Sequence, residues 1–294
     1  MQVLNMGSIN VDHVYEVDHF VRPGETLGSL SYRTFPGGKG FNQSVALARA
    51  GVSVLHVGKI GQDAGWLRQR LADEGVDTRF VVQNAMSTGH AVIQVAPDGE
   101  NAIFLFAGAN KQITEAEFDV ALAASSPGNY LLLQNETSAV ALAIQKAHAY
   151  GLRIIFNPAP MCSEVQQYPL EWVDIFVLNE SEAEALTGKT DLLEVVEIMR
   201  QRFPNAATVL TQGKRGATYF DADTLRHEAA LNVVPIDTTA AGDTFIGYFL
   251  AELISSGNPE RALAKGCRAA AICVTKAGAA DSIPLHHEVE NYRP

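Results

Sequence analysis

Ile175-Phe176-Val177-Leu178-Asn179-Glu180-Ser181-Glu182 passes abruptly from an unbroken apolar run to amides and carboxylates. So short a run reads as a strand buried on both faces rather than as a helix. The polar residues after it cap and open a helix over 180–187. The same punctuation recurs on either side. Tyr130-Leu131-Leu132-Leu133 precedes Gln134-Asn135-Glu136, Ile154-Ile155-Phe156 precedes Asn157-Pro158-Ala159-Pro160, and Thr208-Val209-Leu210-Thr211 precedes Gln212-Gly213-Lys214. Helical spacing over 138–150 and 191–202 fills the gaps between strands. Strands alternating with helices predict an α/β fold with a doubly wound, mostly parallel sheet, whose ligands bind beyond the carboxyl ends of the strands.

Upstream, residues 2–9 read as a strand and 38–51 as a helix opened by Gly37-Gly38 and closed by Gly51. Between them, 11–36 carries period-two patches and turn residues, and 88–108 spells strand, Pro97-Asp98-Gly99 turn, strand. No repeat or linker divides the chain. Residues 1–294 are therefore expected to form one α/β domain, with the insertions at about 11–36 and 88–108 joined into a small β-sheet lid.

The chain has 294 residues, nearly half of them apolar, and a formal charge of −11 without a Lys/Arg cluster. That balance argues against a nucleic-acid or membrane surface as partner. Cys162, Cys267 and Cys273 make neither a paired framework nor a metal-ligand spacing. With no basic leader and no run of membrane-spanning length, the expected compartment is the cytoplasm.

The chemistry is expected where Thr239-Ala240-Ala241-Gly242-Asp243-Thr244-Phe245 leads into a helix starting near Ala240, its apolar stripe being Phe245, Phe249, Leu250, Leu253 and Ile254. Unpaired amides of a first turn, with the positive end of the helix dipole, attract anions, and small side chains let a phosphate approach. Asp243, beside that anion, is suited to take a proton from an attacking hydroxyl. Gly37-Gly38-Lys39-Gly40-Phe41-Asn42-Gln43 opens another helix, but it is not a P-loop, because Arg33 and Gly40 stand where that motif needs a glycine and a hydroxyl. Gly188-Lys189-Thr190 fails likewise, with Ala183 in the place of the first glycine. Asn10 and Asp12, two apart in an extended segment, point the same way and suit a polyol. Asn179 and Glu182 could position a hydrated Mg²⁺. Each of these has an ordinary reading when taken alone: a capping acid, a tight turn, a turn-forming pair, a helix cap. An NAD-dependent oxidoreductase is disfavoured, since no G-x-G-x-x-G follows the first strand.

Taken together and in order, these residues resemble the ribokinase family of ATP-dependent sugar kinases. The likeness runs from Gly7-Ser8-Ile9-Asn10-Val11-Asp12, through the Gly37–Gln43 stretch, Asn157–Pro160 and Asn179–Glu184, to Asp237–Phe245, the most specific piece. The resemblance implies a ribokinase-like fold and transfer of a phosphoryl group from ATP to the 5-hydroxyl of a pentose, D-ribose first. Another sugar, a nucleoside, or a silent sugar-binding protein on the same scaffold are the alternatives. It further implies that Asn10, Asp12, Gly38, Lys39, Asn42 and Glu136 hold the sugar, that Asp243 is the base, and that Ala240, Ala241 and Gly242 form the anion hole. By the same likeness Asn179, Glu182, Thr211, Gly213, Lys214 and Gly216 line the nucleotide and Mg²⁺ side, with Glu182 reaching the metal through water. Asp237, Thr239, Cys273, Lys276, Gly278 and Ser282 would surround an activating monovalent cation, K⁺, several through backbone carbonyls. A homodimer joined through the lid is the expected assembly. The chain departs from the family pattern at Phe41, at Asn135 beside Glu136, and at Cys267-Arg268, where a histidine often lies near the adenine.

Overall fold

The structure, a computed structural model, describes residues 1–293. In chain order the strands are β1 (Gln2–Met6), β2 (Asn10–Glu16), β3 (Ser31–Gly37), β4 (Ser53–Gly61), β5 (Asp77–Asn84), β6 (Gly89–Val95), β7 (Asn101–Phe106), β8 (Tyr130–Gln134), β9 (Arg153–Asn157), β10 (Ile175–Asn179), β11 (Ala207–Thr211), β12 (Ala217–Phe220) and β13 (Leu225–Glu228). The helices are α1 (Lys39–Arg49), α2 (Gly65–Asp73), α3 (Glu115–Ala123), α4 (Val140–Tyr150), α5 (Glu180–Thr187), α6 (Leu192–Arg202), α7 (Ala241–Ser256), α8 (Pro259–Cys273) and α9 (His286–Asn291).

Nine strands form one sheet in the order β13-β12-β11-β10-β9-β8-β1-β4-β5, antiparallel only at β11-β12 and β12-β13. The strands buried on both faces are the unbroken apolar runs, because helices cover each side. On one face Val3, Tyr130, Leu132, Ile155, Val177 and Val209 pack against α1, α2, α7 and α8. On the other, Leu4, Met6, Leu131, Leu133, Phe156 and Phe176 meet α3, α4, α5 and α6. From β1 the chain winds outward through β4 and β5, and from β8 it winds the other way through β9, β10 and β11. The order therefore reverses between β1 and β8, and a crevice opens at their carboxyl ends. The strands predicted downstream of residue 130 are all present. Residues 53–84 supply β4, α2 and β5; β4 carries His56 and Lys59 amid apolar residues, so neither alternation nor an unbroken apolar run marks it in the sequence. No helix of the described residues is long and apolar enough to cross a membrane.

The two insertions meet in a second sheet. The strands β2 and β3 pair antiparallel, as do β6 and β7, and β2 lies parallel to β6, so the hairpins fuse into one sheet of order β3-β2-β6-β7. Strand alternation divides its side chains. Asp12 shares a face with Phe35, Ala91 and Leu105, while His13 shares the opposite face with Thr34, Val92 and Phe104. The apolar residues of the second hairpin therefore do not lie together: Ile103 and Leu105 are on the face of Asp12, and Val92 and Phe106 are on the other. On β7 all four residues from Ile103 to Phe106 are exposed.

Candidate active site

The helix α7 starts one residue after the predicted position, and its start is conformationally unusual. Ala240 caps it at φ +60°, ψ +6°, a left-handed conformation that costs a non-glycine residue about 1 kcal/mol. Thr244 is the first residue whose amide reaches a carbonyl four residues back, that of Ala240 at 2.8 Å. The Gly242 and Asp243 amides therefore have no partner within the helix, and both residues line a cleft of about 230 Å³ shared with Lys39, Asn157, Asn179, Glu182 and Thr211. Beyond its own helix and chain neighbours, a Cβ on Gly242 would meet nothing within 4 Å, so the helix start is bare towards the cleft.

Asp243 is buried. Its Oδ2 accepts from Asn42 Nδ2 at 3.0 Å and its Oδ1 from Gln43 Nε2 at 2.8 Å. Burial pushes its carboxyl above the usual range, opposed by Lys39 and by those two hydrogen bonds. Lys39 lies in turn among carboxylates: burial works against its charge, but Asp243, Glu136 and Glu182 outweigh that and raise its pKa. The result is a carboxylate strengthened as a base, with a cation beside it.

At the β1/β8 switch point, Glu136 Oε2 accepts from the Lys39 amide at 3.1 Å and from the Ser8 hydroxyl. Gly38, at φ +94°, starts α1 in a conformation that suits glycine. Gly40 has a different purpose. A Cβ there would lie 2.4 Å from Gly7 Cα, so its close approach is to the chain itself rather than to a ligand. Asn10 and Asp12 are both buried on one face of β2. Asn10 Oδ1 accepts from Asn110 Nδ2 at 2.7 Å, whereas no described residue donates a hydrogen bond to the Asp12 carboxylate. Burial, with Glu136 and Asp243 nearby, pushes Asp12 up to about 7. An almost buried carboxylate with free lone pairs is a receptor for hydroxyl donors.

Beyond Asp243 a second cleft of about 470 Å³ runs past Thr211, Gly213, Lys214 and Gly216 between the 230–238 segment and α8. Thr211, Thr238, Ala241 and Gly242 line both clefts, which makes the start of α7 and the end of β11 their common wall. The far end is apolar, walled by Leu231, Val233, Phe245, Cys267 and Val274. Burial pushes the Cys267 thiol up to about 12, with Glu228 adding to the shift, so it is a neutral wall. Arg268 is directed elsewhere, with Nη1 donating to the Val289 carbonyl at 3.4 Å.

Glu182 and Asn179 close a capping box on α5, with Asn179 N–H donating to Glu182 Oε2 at 2.9 Å and Asn179 Oδ1 accepting from the Glu182 amide at 2.8 Å. Asn157 joins them at the cleft wall. An amide- and carboxylate-lined wall suits a hard cation that keeps its waters. Asp237 holds its loop by accepting from Thr239 N–H and Gly278 N–H, each at 2.9 Å. Cys273 Sγ lies 3.0 Å from the Ser282 hydroxyl. All six residues expected around a monovalent cation thus share one region, and a single carboxylate among hydroxyl and carbonyl oxygens fits a singly charged ion. The Lys276 ammonium turns away to Glu288 at 2.7 Å, which leaves only its backbone for such a role.

The sequence reading gave no role to Gln43, Asn110, Ser8 or Thr238. Gln43 and Ser8 stand inside the stretches quoted for their neighbours. Asn110 carries no local signal, being brought to Asn10 from a hundred residues away in sequence.

The profile of the pfkB family of carbohydrate kinases matches residues 2–286. A ribokinase of Haemophilus influenzae is 40% identical, the match covering 96% of this chain and 95% of that protein. Among solved structures, the ribokinase of Cryptococcus neoformans var. grubii in complex with ADP superposes with a TM-score of 0.86 at 32% identity, covering 98% of both chains. That of Arabidopsis thaliana ribokinase complexed with ribose and ATP gives 0.88 at 25% identity, over 98% of this chain and 97% of that one.

Proposed function

Since the chain belongs to the pfkB family of carbohydrate kinases, we propose that it transfers the γ-phosphoryl group of ATP to the 5-hydroxyl of D-ribose. It is an ATP-dependent sugar kinase. What carries the reading of the site is the position of Asp243, buried at the start of α7 where the cleft shared with Lys39 meets the slot leading to Cys267.

In this reading the sugar lies under the lid, with Asp12, Asn10, Asn42 and Glu136 taking its hydroxyls and Gly38 giving it room. Asp243 accepts the proton of the 5-hydroxyl as its oxygen bonds to the γ-phosphorus, the bond to the bridging oxygen breaks, and ADP leaves. The amides at Gly242 and Asp243 face the charge that develops on the phosphoryl oxygens, with Ala240 and Ala241 shaping the turn, the Ala241 N–H donating back to the Thr238 carbonyl at 3.3 Å, and Lys39 adding a positive charge from the other wall. Thr211, Gly213, Lys214 and Gly216 flank the nucleotide, and the apolar slot takes its base. Asn157, Asn179 and Glu182 would hold the hydration shell of Mg²⁺, which neutralises phosphate charge when bound. Asp237, Thr239, Cys273, Lys276, Gly278 and Ser282 would hold K⁺ and so fix the loop leading into α7. The decisive assay is turnover with Mg-ATP against ribose, 2-deoxyribose, ketoses, hexoses and nucleosides, with and without K⁺. Ribose is expected to give the highest kcat/KM. Faster turnover of a nucleoside, or sugar binding without turnover, would replace this reading by one of its alternatives.

Asp12 makes sugar binding pH-dependent. Its pKa of about 7 in the fold exceeds the ordinary 3.8, so the unliganded protein gains stability as pH falls from 7 towards that value and loses it as pH rises. Sugar hydroxyls donate to the ionised form, so binding pulls the other way and expels a proton. Affinity is expected to weaken by up to about tenfold per pH unit below about 7, with proton release seen by calorimetry in buffers of different ionisation enthalpy. A flat affinity across that range would remove Asp12 from the sugar site.

The lid supports a further expectation. The face carrying Val92, Phe104 and Phe106 is turned away from Asp12, with Phe104 62% and Phe106 46% exposed. Burying that face and the β7 edge against a second copy would give a two-fold dimer and brace the lid over the sugar, excluding water. Sedimentation is expected to show a dimer at micromolar concentration and Phe104→Glu a monomer. A wild-type monomer under those conditions would discard the arrangement.

A further inference from the structure

Behind Asp243, on the face of the main sheet covered by α1 and α7, lies a row of buried uncharged polar side chains that the reaction as described does not use. Gln43 and Ser44 come from α1, Asn5 from β1, His56 from β4 and Gln134 from the end of β8, and each is fully buried. They form a continuous chain. Gln43 Nε2 donates to Asp243 Oδ1 at 2.8 Å, and Gln134 Nε2 donates to Gln43 Oε1 at 2.6 Å and to Asn5 Oδ1 at 3.0 Å. Asn5 Nδ2 donates to the Gly40 carbonyl and to Ser44 Oγ, both at 2.8 Å, and Ser44 Oγ lies 2.8 Å from His56 Nδ1.

The carboxylate dictates the polarity of the whole chain. An ionised Asp243 only accepts, so Gln43 must present its amide nitrogen to it and its oxygen to Gln134. Gln134 must then give its nitrogen, which turns its own oxygen to a side where no partner lies. Asn5 follows with oxygen towards Gln134 and nitrogen towards Ser44. The Ser44 hydroxyl, having accepted, has its proton left for His56 Nδ1, which sets the neutral tautomer carrying hydrogen on Nε2. Burial keeps that ring neutral, pushing its pKa down to about 4 against the opposing pull of the Gly7 carbonyl. At the far end a neutral imidazole terminates the chain, with the Gly7 carbonyl beside its Nε2–H. Apolar residues of the same volume would fasten α1 to the sheet without desolvating these amides, so packing does not explain the row.

We propose that Gln43, locked in one orientation by the Gln134–Asn5–Ser44–His56 chain, is a positioning residue that fixes the rotamer of Asp243 so that its carboxylate meets the attacking hydroxyl. The proposal rests on the reading of Asp243 as the base. Asn42 still grips Oδ2 when Gln43 is removed, so the carboxylate stays in the site but is free to turn about that contact.

The test is steady-state kinetics of the full-length protein with Mg-ATP and ribose, with ribose affinity measured separately by calorimetry. Gln43→Leu is expected to lower kcat by about 10–100-fold, the scale on which a misplaced reacting group loses rate, with KM for both substrates and ribose affinity held within about threefold. Gln134→Met, which removes the donor to Gln43 without touching the base, is expected to show the same split at about 3–10-fold. A purely structural row predicts instead that losses track melting temperature and raise KM as the glycine loop shifts. Wild-type kcat in folded Gln43→Leu, or KM rising as far as kcat falls, overturns the proposal. If Gln43→Leu does not fold, Gln134→Met decides by the same criteria. Asp243→Asn in parallel separates the two readings: if it stays active, base and positioning fail together, and if it is inactive while Gln43→Leu is normal, only the positioning role fails.

Discussion

Asp243→Asn is expected to lower kcat by about 10²–10⁴, the usual worth of a positioned general base, while ribose and nucleotide affinities stay close to wild type. The amide is nearly isosteric with the carboxylate and keeps one acceptor oxygen for Gln43 Nε2, which reaches Asp243 at 2.8 Å. The start of α7 and its free amides are untouched, so the phosphate side of the cleft is preserved. What disappears is proton affinity, which burial raises in this carboxylate. A base stronger than an ordinary aspartate accepts the hydroxyl proton more readily at neutral pH, and its loss falls on the chemical step rather than on binding. Single-turnover phosphoryl transfer, measured with saturating ribose and Mg-ATP, is the direct check. Activity within threefold of wild type would mean that the hydroxyl loses its proton elsewhere, and the role of this residue would reduce to tying α7 to α1 through Asn42 and Gln43.

Much of this arrangement is legible in the sequence because strand ends are. Gln134, Asn157, Asn179 and Thr211 are the last residues of β8, β9, β10 and β11, and each follows a run of apolar residues. A polar residue at the carboxyl end of a buried parallel strand falls at the crevice by the geometry of the sheet alone. Asp243 is legible for a related reason, since small residues before an apolar helix mark an open N-terminus. What the sequence hides is set by contacts between distant segments. Gly40 looks like a ligand-binding glycine, yet its missing side chain makes room for Gly7. Asn110 reads as an ordinary loop residue until β2 brings Asn10 to it. His56 sits within β4, where an apolar residue would be expected, and only the row leading to Asp243 gives its burial a sense. The apolar run Ala102–Phe106 marks β7 as a strand, but which of its residues face the cleft depends on the pairing register with β6, which composition does not encode.

Asp12→Ala is expected to weaken ribose binding by about 1.5–3 kcal/mol, the range for hydrogen bonds to a charged group, and to spare ATP binding. A glycine nearby offers a second route to the same loss. A Cβ on Gly37 would stand 2.1 Å from Asp12 Oδ2, 2.3 Å from its Cγ and 2.4 Å from its Oδ1. Gly37 does not have the positive φ of Gly38, so alanine there meets no backbone strain, and the obstacle is the Asp12 carboxylate itself. Gly37→Ala must therefore push that carboxylate out of its place, and its cost in ribose affinity should approach that of Asp12→Ala. The two losses share one cause and cannot add. In the Asp12→Ala background the clash is gone, and the further change Gly37→Ala should cost little, giving a coupling energy nearly as large as either single effect. Calorimetry of the four proteins with ribose and with ATP completes the cycle. Additive losses would show that Gly37 serves the movement of β3 rather than the placement of Asp12. Loss of nucleotide affinity with ribose binding intact would exchange the sugar and nucleotide ends of the site, because Asp12 would then be facing phosphate rather than a polyol.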